Sequence, residues 1–325
     1  MLRDAHGRSI AYLRLSLTKN CSMRCLYCRP ETSQNQPDQD MLTPHEIAQL
    51  VAHLCTHHGV TKVRLTGGEP TSRRDLVEII TRLAALGTIR DLALTTNGLT
   101  LPHQAQAYAQ AGLHRVNISL DSLNPERFAA LTGVAGLPRV LEGIRTAQRV
   151  GLSPIRINTV VVRGQNESDL PSLLEFAADH GLEIRFIELM PMGPLADRWA
   201  DLYVPESAMR QILDPHVVTW TALPHQHESA RRYRVLLASG GQATVGFITA
   251  MSCNFCDSCN RIRIGSDGAF YPCLMDRPAA GGGLLPAIRP VFNGAELDRL
   301  IAAGLDHKAA AHGTSGFVTM THIGG

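Results

Sequence analysis

"AYLRLSLTKNCSMRCLYC", residues 11–28, is the stretch that sets the fold class. Its first seven residues read as a β-strand, which runs directly into a loop bearing Cys21, Cys25 and Cys28. The spacing is C-x3-C-x2-C. Structural zinc sites use four protein ligands, and no fourth thiol or well-placed histidine lies near in sequence. His6, the nearest imidazole, is on the other side of the strand. Three thiolates suit a [4Fe–4S] cube whose fourth iron stays open to a further ligand.

Outward from this strand the same rhythm repeats. Candidate strands follow at "KVRLT" (62–66), "DLALT" (91–95), "RVNISL" (115–120), "IRINTVVV" (155–162) and "EIRFIEL" (183–189). The first clear helix begins "TPHE". Thr43 caps it, Pro44 suits its first position and Glu46 completes a capping box. Ile47, Leu50, Val51 and Leu54 share its apolar face, and Gly59 ends it. Similar patterns place helices at about 73–86, 102–111, 137–150 and 167–180. Six strands joined by right-handed crossovers imply a parallel sheet, either doubly wound or curved into a partial barrel. Both arrangements gather ligands at the carboxyl ends of the strands.

After residue 195 the rhythm changes. "VVTW", "RRYRVLLA", "ATVGFI", "RIRIG" and "AFYPC" read as short strands joined by "SGGQ" and "SDG" turns. A Gly-rich loop (281–283) and a helix near 294–303 follow. The expected division is residues 1–195 and a smaller, mostly antiparallel section over 196–325. That section holds "CNFCDSCNRIRIGSDGAFYPC" (253–273), with four of the chain's eight cysteines around Arg261 and Arg263. Four thiols would close a metal site; three would leave it open and one thiol spare. The two arginines alternate on one strand face, so both point the same way.

The 325 residues are enough for a large core, and 44% hydrophobic against 18% charged is the balance of a soluble globular protein. A formal net charge of +2 gives no reason to expect nucleic acid as a partner. There is no apolar leader at the N-terminus and no run of ~18 apolar residues, so neither secretion nor a membrane span is expected. In a reducing, cytoplasmic setting clustered thiols read as metal ligands before disulfides. Only Lys19, Lys62 and Lys308 are lysines among 31 basic side chains. The arginines that make up the rest are suited to bidentate binding of phosphate oxygens wherever they converge.

The cysteine loop, with Tyr27 before its third thiol, resembles the signature of the radical S-adenosylmethionine (SAM) superfamily. "VRLTGGEP" (63–70) adds Gly67-Gly68-Glu69-Pro70 at a strand end, a segment that binds the amino group of SAM in that superfamily. Together with "LTTNG", "NISLDSL", "INTVV", "IRFIELM", the second cysteine group and the terminal "IGG", the chain resembles the GTP 3′,8-cyclase family almost end to end. The resemblance implies an incomplete (βα)6 radical-SAM barrel, a partial TIM barrel, with a C-terminal extension carrying a second Fe–S cluster. It implies two [4Fe–4S] clusters, one on Cys21, Cys25 and Cys28 and one on Cys256, Cys259 and Cys273, and SAM as cofactor. Reductive cleavage of SAM yields a 5′-deoxyadenosyl radical that takes hydrogen from C3′ of GTP, and the carbon radical then attacks C8 of guanine. In that family the second cluster's open iron binds the guanine. Tyr27, Gly68, Ser119 and Met190 are implied around SAM, and Arg14, Arg64, Thr95, Arg156, Arg261 and Arg263 around GTP. Arg156 stands where the family usually has lysine, which keeps the charge and changes its shape. Arg185 is the implied catalytic arginine, and Gly324 and Gly325 form a tail that assists the chemistry. Also implied are a homodimer, a low-potential electron donor, and cyclic pyranopterin monophosphate synthase as recipient of the product.

Plainer readings compete at several positions. Cys55 lies near the apolar face of the first helix and reads as core filler. Cys253 reads as a spare thiol, because a fourth ligand would close the iron to guanine. His57 and His58 close a helix, where a cation is favourable. The terminal Gly-Gly, without the resemblance, is a frayed end. Two alternatives remain: another radical SAM enzyme with an auxiliary cluster, and a zinc-binding interaction protein with two cysteine knuckles. The arginine pair after Cys259 and the "IGG" tail argue against the first.

Overall fold

The computed structural model describes residues 1–29, 35, 40–224, 228–275, 278 and 283–311. Six strands pair in chain order and all parallel: β1 (Tyr12–Ser16), β2 (Lys62–Thr66), β3 (Asp91–Thr96), β4 (Arg115–Ser119), β5 (Arg156–Val161) and β6 (Glu183–Glu188). They are connected through α1 (Pro44–His58), α2 (Leu76–Ala84), α3 (Leu101–Gln110), α4 (Pro125–Thr132), α5 (Leu137–Arg149) and α6 (Leu170–Asp179). The short α4 has no counterpart in the expected helices. Its sequence signal is local, with Asn124 capping the Arg127 amide and Pro125 in the first turn.

The capping box of α1 forms: Thr43 Oγ1 accepts from the Glu46 amide at 3.3 Å, and Glu46 Oε2 accepts from the Thr43 amide at 2.7 Å. Gly59 ends the helix at φ 73°. On β1, Leu13 and Leu15 are fully buried on the side that packs with the helices, in one cluster with Leu50, Val51 and Leu54. Each such side chain contributes roughly 1.5–3 kcal/mol by leaving water. The alternate positions, Tyr12, Arg14 and Ser16, are left for the inner face.

The remainder of the chain comprises α7 (Trp199–Leu202), α8 (Glu206–Leu213), β7 (Val217–Ala222), β8 (Arg231–Leu237), β9 (Gln242–Ile248), β10 (Arg261–Ile264), β11 (Phe270–Tyr271), α9 (Leu285–Ile288) and α10 (Gly294–Asp306). The expected antiparallel pairings are present in β7–β8, β8–β9 and β10–β11. Two parallel pairings were not foreseeable. β9 adds to β6, and β10 adds to β1, so one sheet runs β11-β10-β1-β2-β3-β4-β5-β6-β9-β8-β7. Cys256 and Cys259 thereby stand just ahead of the strand that adjoins β1, and Cys273 just after its antiparallel neighbour β11.

Candidate active site

The two cysteine groups line one cavity that runs through the barrel, with Cys21, Cys25 and Cys28 beyond the carboxyl end of β1 and Cys256, Cys259 and Cys273 beside the amino end of β10, which pairs with β1 from Tyr12 and Arg261. Its wall includes Cys21, Cys25 and Cys28 on one side and Cys256, Cys259 and Cys273 on the other, with about 1830 Å3 between the walls, open mouth included. Tyr27, Gly68, Ser119, Met190, Arg14, Arg64, Thr95, Arg185, Arg261 and Arg263 also line it. Arg156 is not on that wall; it is held behind it by Glu183. Cys253 is exposed and likewise off the wall. Gly324 and Gly325 lie outside the described residues.

The first loop is fastened from below by the GGEP segment. A Cβ on Gly68 would meet Asn20 O at 2.2 Å, and one on Gly67, at φ 150°, would meet Thr18 O at 2.6 Å. Glycine is required because this turn presses on the backbone leading into the cysteines. The Gly68 amide donates to Thr18 O and the Glu69 amide to Asn20 O, both at 2.7 Å. Glu69 is 2% exposed, and its carboxylate takes Thr71 Oγ1 at 2.6 Å, Thr96 Oγ1 at 2.7 Å and the Asn97 amide at 2.7 Å. Asn97 in turn donates to Ser22 Oγ at 2.9 Å. The strand-end motifs "GGEP" and "LTTNG" therefore brace the cysteine loop as well as line the cavity.

The thiols fit an iron–sulfur cube. Burial, then Glu69, pushes the Cys21 thiol up to about 11, and burial, then Cys21, pushes Cys28 up to about 12. Cys25 is raised in the same way, by burial and then by Asp121, Cys28 and Cys21. Three thiols this buried and this close resist ionising alone, and a cationic iron–sulfur core is what allows three thiolates to coexist. Cys259 of the second group has the opposite surroundings. Burial raises Cys259, but Lys308 and Arg261 outweigh it and hold the thiol below its ordinary value. Arg261 also lies over the Phe255 ring, 4.7 Å from its centroid.

Between the two groups the cavity is cationic. Burial, partly offset by Tyr12, with repulsion from Arg115 and Arg14, pulls Arg64 down to about 9. Burial and Arg263 do the same to Arg14, to about 9. Arg64 Nε, Arg261 Nη2 and Asn158 Oδ1 are buried with no hydrogen-bond partner among the described residues. Buried donors without acceptors, on guanidiniums that repel one another, are a built receptor for an anion with several oxygens.

Two residues of the site carried little signal in the sequence. Asp121, just beyond β4, accepts from Tyr27 Oη at 2.7 Å and from the Val160 amide at 2.9 Å. An acidic residue following a barrel strand was the available clue. Glu183, first residue of β6, accepts from Arg185 Nε at 2.6 Å and Arg156 Nε at 3.1 Å. It also lines a second opening at the amino ends of β5, β6 and β9, so its layer forms the floor of the site.

Among the described residues one other group of ligand-type side chains converges. His53 and His58 Nε2 contact Asp298 Oδ1 at 2.7 and 2.6 Å. Those are direct hydrogen bonds; two ligands sharing a zinc with bonds of about 2.0 Å stand roughly 3.3 Å apart. The group clamps α1 to α10.

Residues 15–177 match the radical SAM superfamily, and residues 182–314 match the family described as Molybdenum Cofactor Synthesis C. A GTP 3′,8-cyclase of Listeria welshimeri is 37% identical over 316 residues, covering 96% of this chain and 92% of the relative. The chain belongs to the GTP 3′,8-cyclase family. Another GTP 3′,8-cyclase, from Erythrobacter litoralis, is 40% identical over 309 residues, 94% of this chain and 89% of that protein. Among solved structures, SuiB of Streptococcus suis bound to S-adenosylmethionine aligns with a TM-score of 0.60, over 89% of this chain and 68% of its own. At 16% identity that likeness is one of fold. Membership of the GTP 3′,8-cyclase family brings with it two [4Fe–4S] clusters and SAM as cofactors. No helix among the described residues is long and apolar enough to cross a membrane.

Proposed function

We propose that the protein converts GTP to (8S)-3′,8-cyclo-7,8-dihydroguanosine 5′-triphosphate, the first step of molybdenum cofactor biosynthesis. The observation that carries this reading is the single cavity that two three-cysteine groups face, with guanidiniums between them. Cys21, Cys25 and Cys28 hold the first cluster, and Tyr27, Gly68, Ser119 and Met190 surround SAM. Cys256, Cys259 and Cys273 would hold the second cluster, which would supply the anchor for the guanine. When bound, the first cluster and SAM supply a 5′-deoxyadenosyl radical for hydrogen abstraction at C3′.

The chain's own residues bind and orient the nucleotide. Arg14, Arg64, Arg261 and Arg263 neutralise the triphosphate, whose oxygens give Arg64 Nε and Arg261 Nη2 the acceptors they lack. Thr95, on β3, orients the substrate from the neighbouring layer. Arg185, fixed by Glu183, points a directed cation at the ribose–base end. Arg156 acts through the same carboxylate, and Gly324 and Gly325 assist the chemistry as the family resemblance implies. Apolar Val160, Ile187 and Met190 on the wall limit the water that could quench a radical. In this reading the protein is a cytoplasmic homodimer, served by a low-potential electron donor, and hands its product to cyclic pyranopterin monophosphate synthase.

Anaerobic incubation with SAM, GTP and a low-potential reductant tests it. Expected products are 5′-deoxyadenosine and the cyclised nucleotide. Release of 5′-deoxyadenosine with GTP unchanged would overturn the substrate, and protein with zinc but no iron or sulfide would overturn the reaction class.

A further inference from the structure

Lys308 follows α10, far in sequence from either cysteine group, and is 3% exposed. Its Nζ donates to Arg261 O at 2.7 Å and to Pro272 O at 2.5 Å. Arg261 stands two residues beyond Cys259, and Pro272 immediately precedes Cys273. The ammonium is therefore wedged between the two stretches that present those thiols. Both acceptors are neutral carbonyls. A buried ammonium held only by neutral groups keeps much of its desolvation cost unless an anion lies close. Nearby Arg8 differs, since Asp4 Oδ2 takes its Nε at 2.6 Å and balances its charge, while its Nη1 reaches Cys256 O at 2.8 Å.

Three thiolates around a [4Fe–4S] core carry a net negative charge, which is the counterpart Lys308 lacks. We infer that Lys308 is the fixed counter-charge of the second cluster, raising its reduction potential while its two hydrogen bonds set the spacing of the stretches that present Cys259 and Cys273. The inference rests on reading Cys256, Cys259 and Cys273 as cluster ligands. The sign follows from Coulomb's law: reduction adds negative charge, and a nearby cation in a dry site stabilises the reduced state more than the oxidised one. Lys308 is a positioning residue that acts on the cluster without touching substrate. The same segment is pinned on its other side, where Arg8 donates to Ala309 O at 2.7 Å and Ala310 O at 2.8 Å, and His6 Nε2 contacts Lys308 O at 3.0 Å. The cation thus has a fixed place.

The test uses the full-length chain with Cys21, Cys25 and Cys28 changed to Ala, so that any signal comes from the second cluster. After anaerobic reconstitution its midpoint potential is read by redox titration with electron paramagnetic resonance. Lys308→Met is expected to shift the midpoint to a more negative value, and Lys308→Arg to leave it near that of the parent. Loss of the cluster from Lys308→Met but not from Lys308→Arg would equally support a requirement for charge. An unmoved midpoint in Lys308→Met, or equal loss of iron from both variants, overturns the counter-charge role and leaves the ligand set standing. A parent that takes up no cluster overturns the ligand set and the counter-charge role together.

Discussion

Glu183 holds Arg185 by a 2.6 Å bond from Nε to Oε1, and gives its other oxygen to Arg156 Nε at 3.1 Å. Burial raises the Glu183 carboxyl, but Arg185 and Arg156 outweigh it and keep it below the usual carboxylate range. Arg185 reaches the cavity only from this anchored position. Glu183→Gln leaves two buried guanidiniums with a neutral partner, so stability is expected to fall by about 3 kcal/mol. Turnover of GTP should fall on the order of 10²-fold, as for a catalytic group displaced by about 1 Å. The urea midpoint at pH 7 and the rate of nucleotide cyclisation check the two effects separately. Wild-type turnover in this variant would mean that Arg185 keeps its place without the carboxylate.

Asp121 gives a pH dependence of known sign. It is 2% exposed, and burial pushes its carboxyl up to about 6, against the hydrogen bonds from Tyr27 and Val160. In the unfolded chain it titrates near about 3.9. Between those values the native protein binds more protons than the unfolded chain, so stability is lost as pH rises through that window, by at most about 3 kcal/mol. Asp121→Asn should flatten this part of the profile. Unfolding free energies of iron-free wild type and variant, compared between about pH 4 and 7, read the difference. Parallel profiles would show that Asp121 titrates normally in the fold.

The strands and caps of the barrel were legible because their causes are local. The Thr43 and Glu46 capping box and the leucines of β1 act within a few residues of themselves. The cysteine spacings and the arginines on the barrel strands were legible for the same reason. The attachment of β10 to β1 was not, since Tyr12 and Arg261 pair across nearly the whole chain and nothing near either names the other. In the sequence Glu183 is no more than a strand's first residue; its meaning appears only when the register sets it beside Arg156. Lys308 has no neighbour in sequence to explain its burial. What sequence conceals here is the partner, and the residues missed are those whose role lies entirely in a distant partner.

Arg64 illustrates a stability cost carried for binding. It is 9% exposed, and its Nε has no hydrogen-bond partner among the described residues. An unsatisfied buried donor costs about 1–3 kcal/mol. Arg64→Leu is therefore expected to raise stability without nucleotide by about 1 kcal/mol and to raise KM for GTP. Thermal melts with and without GTP give both answers: a higher baseline in the variant and a smaller rise on adding nucleotide. A lower baseline with an unchanged rise would mean that Arg64 serves packing.

Cys253 decides whether the second cluster is open. Its side chain is exposed, and its carbonyl accepts from Thr249 Oγ1 at 2.8 Å. The preceding turn is fixed by Glu188, whose Oε2 takes the Met251 and Ser252 amides at 2.9 Å each. That anchoring leaves Cys253 outside the wall on which Cys256, Cys259 and Cys273 stand. Cys253→Ser should keep the iron and sulfide of two clusters and wild-type turnover. Cys256→Ser should lose about half the iron, because each site holds one four-iron cube. Cys273→Ala should stop GTP cyclisation while some SAM cleavage persists, read as 5′-deoxyadenosine released without cyclised nucleotide. Loss of half the iron from Cys253→Ser would make Cys253 a fourth ligand, close the cluster, and remove the open iron that the proposed guanine binding requires.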